Sequence, residues 1–160
     1  MSRPILFLDV DGVLHPLQLE FKDGKLSDEH CFRSSCMLQL ARIVKETNAE
    51  IVLSSSWRQF DGPKEKLVNA LALYDLKYMR WTTLEDVDGS RASQILAFLD
   101  VHARQCKSWV ILDDEDVTMG RDSLMMLVAR QNFVHVDGEK ALTEEDANRA
   151  IQILKQEEDC

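Results

Sequence analysis

The sequence predicts an α/β fold with a parallel sheet and helices on both faces, contained in a single domain over residues 1–160. Short apolar segments alternate with longer segments in which apolar residues recur every three or four positions, the pattern of strands alternating with helices. Three of the apolar segments also end in a cluster of polar residues. Since parallel sheets bind ligands beyond the carboxyl ends of their strands, we expect these three clusters to meet in one site.

The first strand is predicted over residues 5–8, a short apolar run preceded by proline. It leads directly into Asp9 and Asp11, which would point to the same side for as long as the strand persists. Gly12 then allows the chain to turn sharply. Two acids at the exit of a buried strand repel each other, so they need a cation, hydrogen bonds or a shared proton.

A β-hairpin follows, because residues 17–21 alternate apolar and polar side chains and Asp23-Gly24 is a typical hairpin turn. We expect this hairpin to form a small flap over the two acids, spanning about residues 15–28. A helical apolar period then covers residues 34–48. The second buried strand is predicted at residues 50–53, and it ends in three consecutive serines.

The second half of the chain continues the alternation. The third buried strand ends in Asp113 and Asp114, and Thr143 is the predicted N-cap of the last helix. The predicted elements are a helix at 62–73, an ambiguous segment at 76–81, an acidic loop at 84–89, a helix at 90–103, a strand at 109–112, a helix at 122–130, a strand at 132–136 and a helix at 143–156.

Composition limits the classes of function. The formal net charge is −9, which disfavours a broad electrostatic contact with nucleic acid or with an anionic membrane surface. No apolar run approaches the roughly 20 residues that a membrane span requires. The four cysteines lack the spacing of a metal site or of a disulfide framework. We therefore expect reduced thiols, a cytoplasmic location and no membrane contact.

The three polar clusters offer only carboxylates and hydroxyls: Asp9 with Asp11, the serines 54–56, and Asp113 with Asp114. Oxygen ligands without histidine or thiolate suit a hard cation such as Mg²⁺. A magnesium ion with such ligands usually partners a phosphate group, to which the serine hydroxyls would donate hydrogen bonds.

These motifs resemble those of the haloacid dehalogenase (HAD) superfamily of phosphohydrolases, which share a Rossmann-like fold. The residues that carry the resemblance are the strand ending Asp9-Val10-Asp11-Gly12, the strand ending in Ser54–Ser56, the basic residue Arg91 and the strand ending Asp113-Asp114. More narrowly, the segments 54–58 and 138–146 resemble the small HAD domain of Swiss-army-knife RNA repair proteins.

The resemblance implies a reaction mechanism. Asp9 would be the nucleophile and form an aspartyl-phosphate, and Asp11 would act as general acid and base. Mg²⁺ would be held by Asp9, by the backbone carbonyl of Asp11 and by Asp114, with Asp113 as an indirect or water-mediated ligand.

The resemblance also implies groups that bind the transferring phosphoryl oxygens. One is a serine hydroxyl: Ser55 is favoured because it lies two residues before Trp57, and Ser54 remains open. The other is Arg91, which stands where a lysine is more common. Trp57 itself would either line the substrate entrance or pack beneath the following helix.

Substrate choice is expected to follow from a cap that is minimal or missing. The chain has room only for the flap and for about one helix between Trp57 and Arg91, so the site is expected to be open to large phosphorylated substrates, such as a nucleic-acid end or a phosphoprotein. The alternatives are a non-catalytic HAD-fold binding module and a phosphatase or phosphotransferase acting on small metabolites. The sequence makes no prediction of oligomeric state.

Overall fold

The protein is built around a five-stranded parallel sheet in strand order β5-β4-β1-β6-β7. The computed structural model describes residues 2–17, 21–22, 25–26, 31–82, 90–102, 106–118 and 130–156. The strands are β1 (Arg3–Leu8), β2 (Phe21–Lys22), β3 (Lys25–Leu26), β4 (Glu50–Leu53), β5 (Tyr78–Trp81), β6 (Cys106–Asp113) and β7 (Phe133–His135). The helices are α1 (Ser34–Thr47), α2 (Asp61–Ala72), α3 (Arg91–His102) and α4 (Glu144–Lys155), with a 3-10 turn at Ser56–Gln59.

The central strand β1 brings its two neighbours into register at their carboxyl ends. Leu8 pairs with Leu53 of β4 on one side and with Leu112 of β6 on the other. The residues that follow these three strands therefore emerge side by side, which is the arrangement that the α/β prediction requires.

The two faces of β1 are buried in different apolar clusters, because successive side chains of a strand point to opposite faces. Leu6 and Leu8 face a cluster that contains buried residues of α1, α2 and α4. Ile5 and Phe7 face a smaller cluster with α3, in which the rings of Phe7 and Phe98 meet edge to face at 5.6 Å. Helices thus cover both faces of the sheet, as predicted.

The ends of two helices follow the local signals in the sequence. Helix α1 stops at Asn48, which adopts a left-handed conformation with φ 56°. Helix α4 begins after Thr143, whose side chain accepts a hydrogen bond from the Asp146 N–H while the Asp146 carboxylate accepts one from the Thr143 N–H. Both boundaries confirm the predictions.

Other boundaries differ by a few residues. The segment 76–81, ambiguous in the sequence, contains an edge strand that begins at Tyr78 and pairs with β4. Strand β6 begins at Cys106, three residues earlier than predicted, because it also pairs with the start of β1 at Arg3. The predicted hairpin is present as the antiparallel pair β2–β3. Its Asp23-Gly24 turn, the acidic loop at 84–89 and the predicted helix up to residue 129 lie outside the described residues.

Candidate active site

The three predicted polar clusters converge at the carboxyl edge of the sheet. The backbone hydrogen bonds of the sheet continue one residue past the strands: the Asp9 N–H donates to the Leu112 carbonyl at 3.1 Å, and the Ser54 N–H donates to the Leu8 carbonyl at 3.0 Å. Asp113 is the last residue of β6. The first acids, the serines and the second acids therefore lie on three adjacent strands.

Three carboxylates form the centre of this site. Asp9, Asp113 and Asp114 each contribute an oxygen to a group in which all these atoms lie within 4.8 Å of one another. Asp9 is only 4% exposed and Asp113 is fully buried. Buried carboxylates this close together repel strongly unless protons or a cation compensate them.

Two glycines leave space for the Asp114 carboxylate. Gly12 has φ 78°, and a Cβ added to it would lie 2.6 Å from Asp114 Cγ. A Cβ on Gly138 would lie 2.7 Å from Leu17 Cδ1 and 3.1 Å from Asp114 Oδ2. Sequence reasoning assigned Gly12 to a turn, but it missed the contact with Asp114 and it missed Gly138 altogether as a site residue.

Electrostatics at Asp9 reflect its burial. Burial and the charge of Asp113 raise the pKa of Asp9 to about 9, against an opposing effect of Arg91. Burial also raises the pKa of Asp113, although the Arg91 guanidinium lowers it. Without a metal ion, the pair therefore retains a proton at neutral pH.

Arg91 places a positive charge beside these acids. It is the first residue of α3, and its Nη1 lies 2.7 Å from Asp113 Oδ2 and 3.3 Å from Asp9 Oδ1. Burial alone would lower the pKa of the guanidinium, but the two carboxylates raise it, so Arg91 stays charged. The structure thus brings Arg91 to the predicted nucleophile, and its role in phosphate binding stays a prediction.

Asp11 lies outside the group formed by the other three acids. Strand β1 ends at Leu8, so strand alternation does not extend to Asp9 and Asp11, and the predicted shared orientation does not follow. Asp11 Oδ1 lies 2.8 Å from His15 Nε2, and Oδ2 accepts a hydrogen bond from Trp57 Nε1–H at 3.0 Å. The hydrogen bond with His15 lowers the pKa of Asp11, so this carboxyl group is ionised at neutral pH. The role of the Asp11 backbone carbonyl as a metal ligand, which the resemblance implies, stays a prediction.

Both candidate serines are fully buried at the end of β4. The Ser55 hydroxyl accepts a hydrogen bond from the Trp57 N–H at 3.2 Å, which caps the 3-10 turn. This contact fixes Ser55 relative to Trp57. The choice between Ser54 and Ser55 as the phosphate-binding hydroxyl stays a prediction.

Two further residues at this edge were not identified from the sequence. Thr82 directly follows β5, donates its backbone N–H to the Leu53 carbonyl at 3.0 Å and is fully buried. Its hydroxyl has no hydrogen-bond partner within the part of the chain that the structure describes. His135 of β7 places Nε2 2.8 Å from the Asp114 carbonyl, and its position after an apolar pair at the end of a strand was the available signal.

The acidic group fits a magnesium ion. It offers only carboxylate oxygens, which hard cations prefer, and it retains a proton that a cation would replace. Asp9, Asp113 and Asp114 are the side chains that would hold the ion. Glu115 and Asp116, the next acids along the chain, are exposed and stand outside this group.

Comparison with known families agrees with this geometry. The model of a family described as the HAD domain in Swiss Army Knife RNA repair proteins matches residues 5–147, from β1 into α4. The chain belongs to this family. The match confirms the resemblance and the HAD fold, and it implies a phosphohydrolase type of function. A comparison with curated proteins gave no significant match. Among the described residues, no helix of this HAD domain has the length and apolar character needed to span a bilayer.

Proposed function

We propose that this HAD domain is a magnesium-dependent phosphomonoesterase that uses Asp9 as a covalent nucleophile. The observation that carries the proposal is the convergence of the buried Asp9 and Asp113 with Asp114, and the Arg91 guanidinium 3.3 Å from Asp9. A binding module would have no need for buried, mutually repelling acids, whose packing opposes folding.

The proposed reaction has two steps. An Asp9 oxygen attacks phosphorus, the bond between phosphorus and the ester oxygen breaks, and Asp11 gives a proton to the departing oxygen. Water then attacks the aspartyl-phosphate while Asp11 takes up its proton, which releases orthophosphate and restores Asp9. A bound magnesium ion would supply positive charge that offsets the repulsion between the Asp9 carboxylate and the phosphate dianion.

The environment of Asp11 suits this double role. Its lowered pKa makes it a carboxylate in the free protein, ready to accept a proton in the second step. The arrival of a phosphate dianion favours protonation of a nearby carboxylate, which supplies the acid for the first step. The remaining donors of Arg91 and a serine hydroxyl at the end of β4 would bind the phosphoryl oxygens, whose charge spreads in the transition state.

We propose that the substrate is the phosphorylated end of a nucleic-acid chain. We also propose that the protein is cytoplasmic. Two large aromatic residues that come at or shortly after the carboxyl ends of strands are exposed: Trp81, 53% exposed, ends β5, and Phe60, 63% exposed, follows the 3-10 turn after β4. Exposed aromatic rings stack on unpaired bases without needing an extended basic surface, which a net charge of −9 does not provide.

The first experiment measures orthophosphate release from an aryl phosphate with Mg²⁺ and with a chelator. We expect metal-dependent turnover that Asp9→Asn abolishes and that Asp116→Asn, a change at an exposed acid of the loop that follows β6, leaves intact. Turnover that survives Asp9→Asn would contradict the nucleophile assignment. If the wild type shows no turnover, even on end-phosphorylated oligonucleotides and phosphopeptides, the result contradicts the proposed substrate class and favours the binding module.

A second comparison tests the class of substrate. We expect a higher kcat/KM for an end-phosphorylated single-stranded oligonucleotide than for a phosphopeptide, and we expect Trp81→Ala to raise KM for the oligonucleotide while leaving aryl phosphate turnover unchanged. A preference for the phosphopeptide would assign the open site to phosphoproteins instead.

A further inference from the structure

His15 is a buried polar residue to which the proposed reaction gives no role. It is 1% exposed, although the sequence places it at the start of the flap. The chain turns back after Asp11, with the Gly12 N–H donating to the His15 carbonyl at 2.9 Å. This turn brings His15 Nε2 to 2.8 Å from Asp11 Oδ1.

The other ring nitrogen of His15 determines where the imidazole proton lies. The backbone N–H of Phe32 points to His15 Nδ1 at 3.4 Å. Because Nδ1 faces a donor, it acts as an acceptor, and the ring proton lies on Nε2. His15 therefore donates a hydrogen bond to the Asp11 carboxylate.

The backbone conformation at Phe32 directs its N–H toward His15. Phe32 has φ 58°, a conformation that is costly for an aromatic residue. The next residue, Arg33, donates its N–H to the Leu14 carbonyl at 2.9 Å and so fixes this segment against the turn that carries His15. The strained residue directs its own N–H at the histidine.

Trp57 completes the arrangement from the other side. Its indole N–H donates to Asp11 Oδ2, so each carboxylate oxygen of Asp11 has its own donor. The rings of His15, Phe32 and Trp57 pack against one another, with centroids 5.4 to 6.0 Å apart. Asp11, in contrast, has a side chain that is 48% exposed and would sample several rotamers without these two donors.

We propose that His15 and Trp57 are positioning residues, which hold the Asp11 carboxylate at the orientation needed for proton transfer to and from the leaving oxygen. This inference rests on the proposed phosphatase function. It assigns the aromatic group of His15, Phe32 and Trp57 to the support of the general acid and base. The Trp57 ring packs against His15 and Phe32, and its N–H donates to Asp11. Packing of Trp57 beneath α2 stays a prediction.

The test uses the leaving-group dependence of kcat/KM, which covers the steps up to phosphorylation of Asp9. An alkyl phosphate needs a proton on its departing oxygen, whereas 4-nitrophenyl phosphate does not. We expect His15→Ala to lower kcat/KM for the alkyl ester by about 10- to 100-fold and for the nitrophenyl ester by less than about 3-fold. His15→Gln, whose amide can donate from the place of Nε2, should restore the alkyl ester to within about 3-fold of the wild type.

Two comparisons complete the design. Trp57→Phe keeps an aromatic ring but removes the donor to Oδ2, and it should lower the ratio of alkyl to nitrophenyl kcat/KM by several-fold. His102→Gln changes a histidine whose Nδ1 lies 3.2 Å from Arg80 at the far end of α3, and it should leave the ratio unchanged. An equal loss for both esters in His15→Ala and His15→Gln would show a structural role only and would overturn the inference.

Nitrogen NMR of the imidazole gives a readout that does not depend on turnover. We expect the metal-free protein to carry the His15 proton on Nε2. An active wild type with this proton on Nδ1 would overturn the positioning role alone. If the wild type is inactive but carries the proton on Nε2, the proposed function is contradicted. The hydrogen bond from His15 to Asp11 would then have no catalytic role.

Discussion

Burial of the Asp9 carboxyl group lowers the stability of the folded, metal-free protein at neutral pH. The carboxyl group is enclosed next to Asp113, so the metal-free protein favours a protonated form that the unfolded chain would not have at neutral pH. A cation at this point would replace the proton. The same residue therefore links folding, metal binding and the proposed chemistry.

The sign of the pH dependence follows from this shift. The pKa of Asp9 rises from 3.8 to about 9, so its contribution to stability is complete below the lower value and is lost as the pH rises through the upper one. In metal-free protein, we expect Asp9→Asn to raise the free energy of unfolding at about pH 8 by on the order of 1–3 kcal/mol and to flatten its decline above about pH 5. Urea unfolding at several pH values, in chelator, measures this effect.

Asp116→Asn is the control for that measurement. Hydrogen bonding to Thr118 lowers the pKa of Asp116, so its titration lies below the pH range examined and the slope should remain that of the wild type. Parallel pH profiles for the wild type and Asp9→Asn would contradict the account of a proton retained at Asp9.

The two nearby glycines allow a steric prediction at the same scale. Gly12→Ala places a Cβ against Asp114 and forces alanine into a left-handed conformation, so we expect a loss of about 1–3 kcal/mol in stability together with weaker Mg²⁺ binding. Gly62→Ala, where a Cβ meets nothing within 4 Å, is the matched control in α2 and should be neutral or stabilising by about 0.5 kcal/mol. Calorimetry measures the stability and the Mg²⁺ affinity of each variant. If Gly12→Ala and Gly62→Ala have the same stability and the same Mg²⁺ affinity, the role of Gly12 beside Asp114 is contradicted.

At the scale of elements, two threonine hydroxyls at the ends of a helix and a strand differ in their hydrogen bonding. The Thr143 hydroxyl lies at the start of α4 and is part of a reciprocal pair of hydrogen bonds with Asp146. The Thr82 hydroxyl follows β5 and, within the described part of the chain, is buried without a partner. A buried hydroxyl that makes no hydrogen bond keeps its desolvation cost without compensation.

The same substitution should therefore have opposite effects at the two sites. Thr82→Val should raise the free energy of unfolding by about 1 kcal/mol, because it removes an unsatisfied hydroxyl at nearly constant shape. Thr143→Val should lower it by about 1 kcal/mol, because it removes the cap of α4. Denaturant unfolding of both variants measures the difference, and a loss of stability in Thr82→Val would show that its hydroxyl has a structural partner.

The elements also show why sequence reasoning succeeded in some places and not in others. The meeting of Asp9, the serines and Asp113 could be predicted, because parallel strands that alternate with helices have their carboxyl ends on one edge. The side-chain direction of Asp11 could not, since it depends on where β1 ends and on contacts with His15 and Trp57. Arg91 was predicted through the resemblance alone, because the contact between the start of α3 and the end of β6 follows from packing and not from periodicity.

At the scale of the whole molecule, the residues of the candidate site lie at one edge of the sheet. Five strands contribute: β1, β4 and β6 lead into the acids and serines, β5 ends in Trp81, and β7 ends in His135 beside Asp114. A Cβ on Gly138, far along the chain from Gly12, would also lie against this carboxylate, 3.1 Å from Asp114 Oδ2. Such contacts between distant segments could not be predicted from the sequence, because they depend on the order of the strands in the sheet.

The most direct test of the central claim is to trap the covalent intermediate on Asp9. The protein is mixed with Mg²⁺ and a substrate carrying radioactive phosphorus, quenched in acid during turnover and digested into peptides. The account predicts label that is stable in acid, is released by hydroxylamine, maps to Asp9 and is absent from Asp9→Asn, while Asp116→Asn is labelled like the wild type. Turnover without label on Asp9, or label that persists in Asp9→Asn, would contradict it.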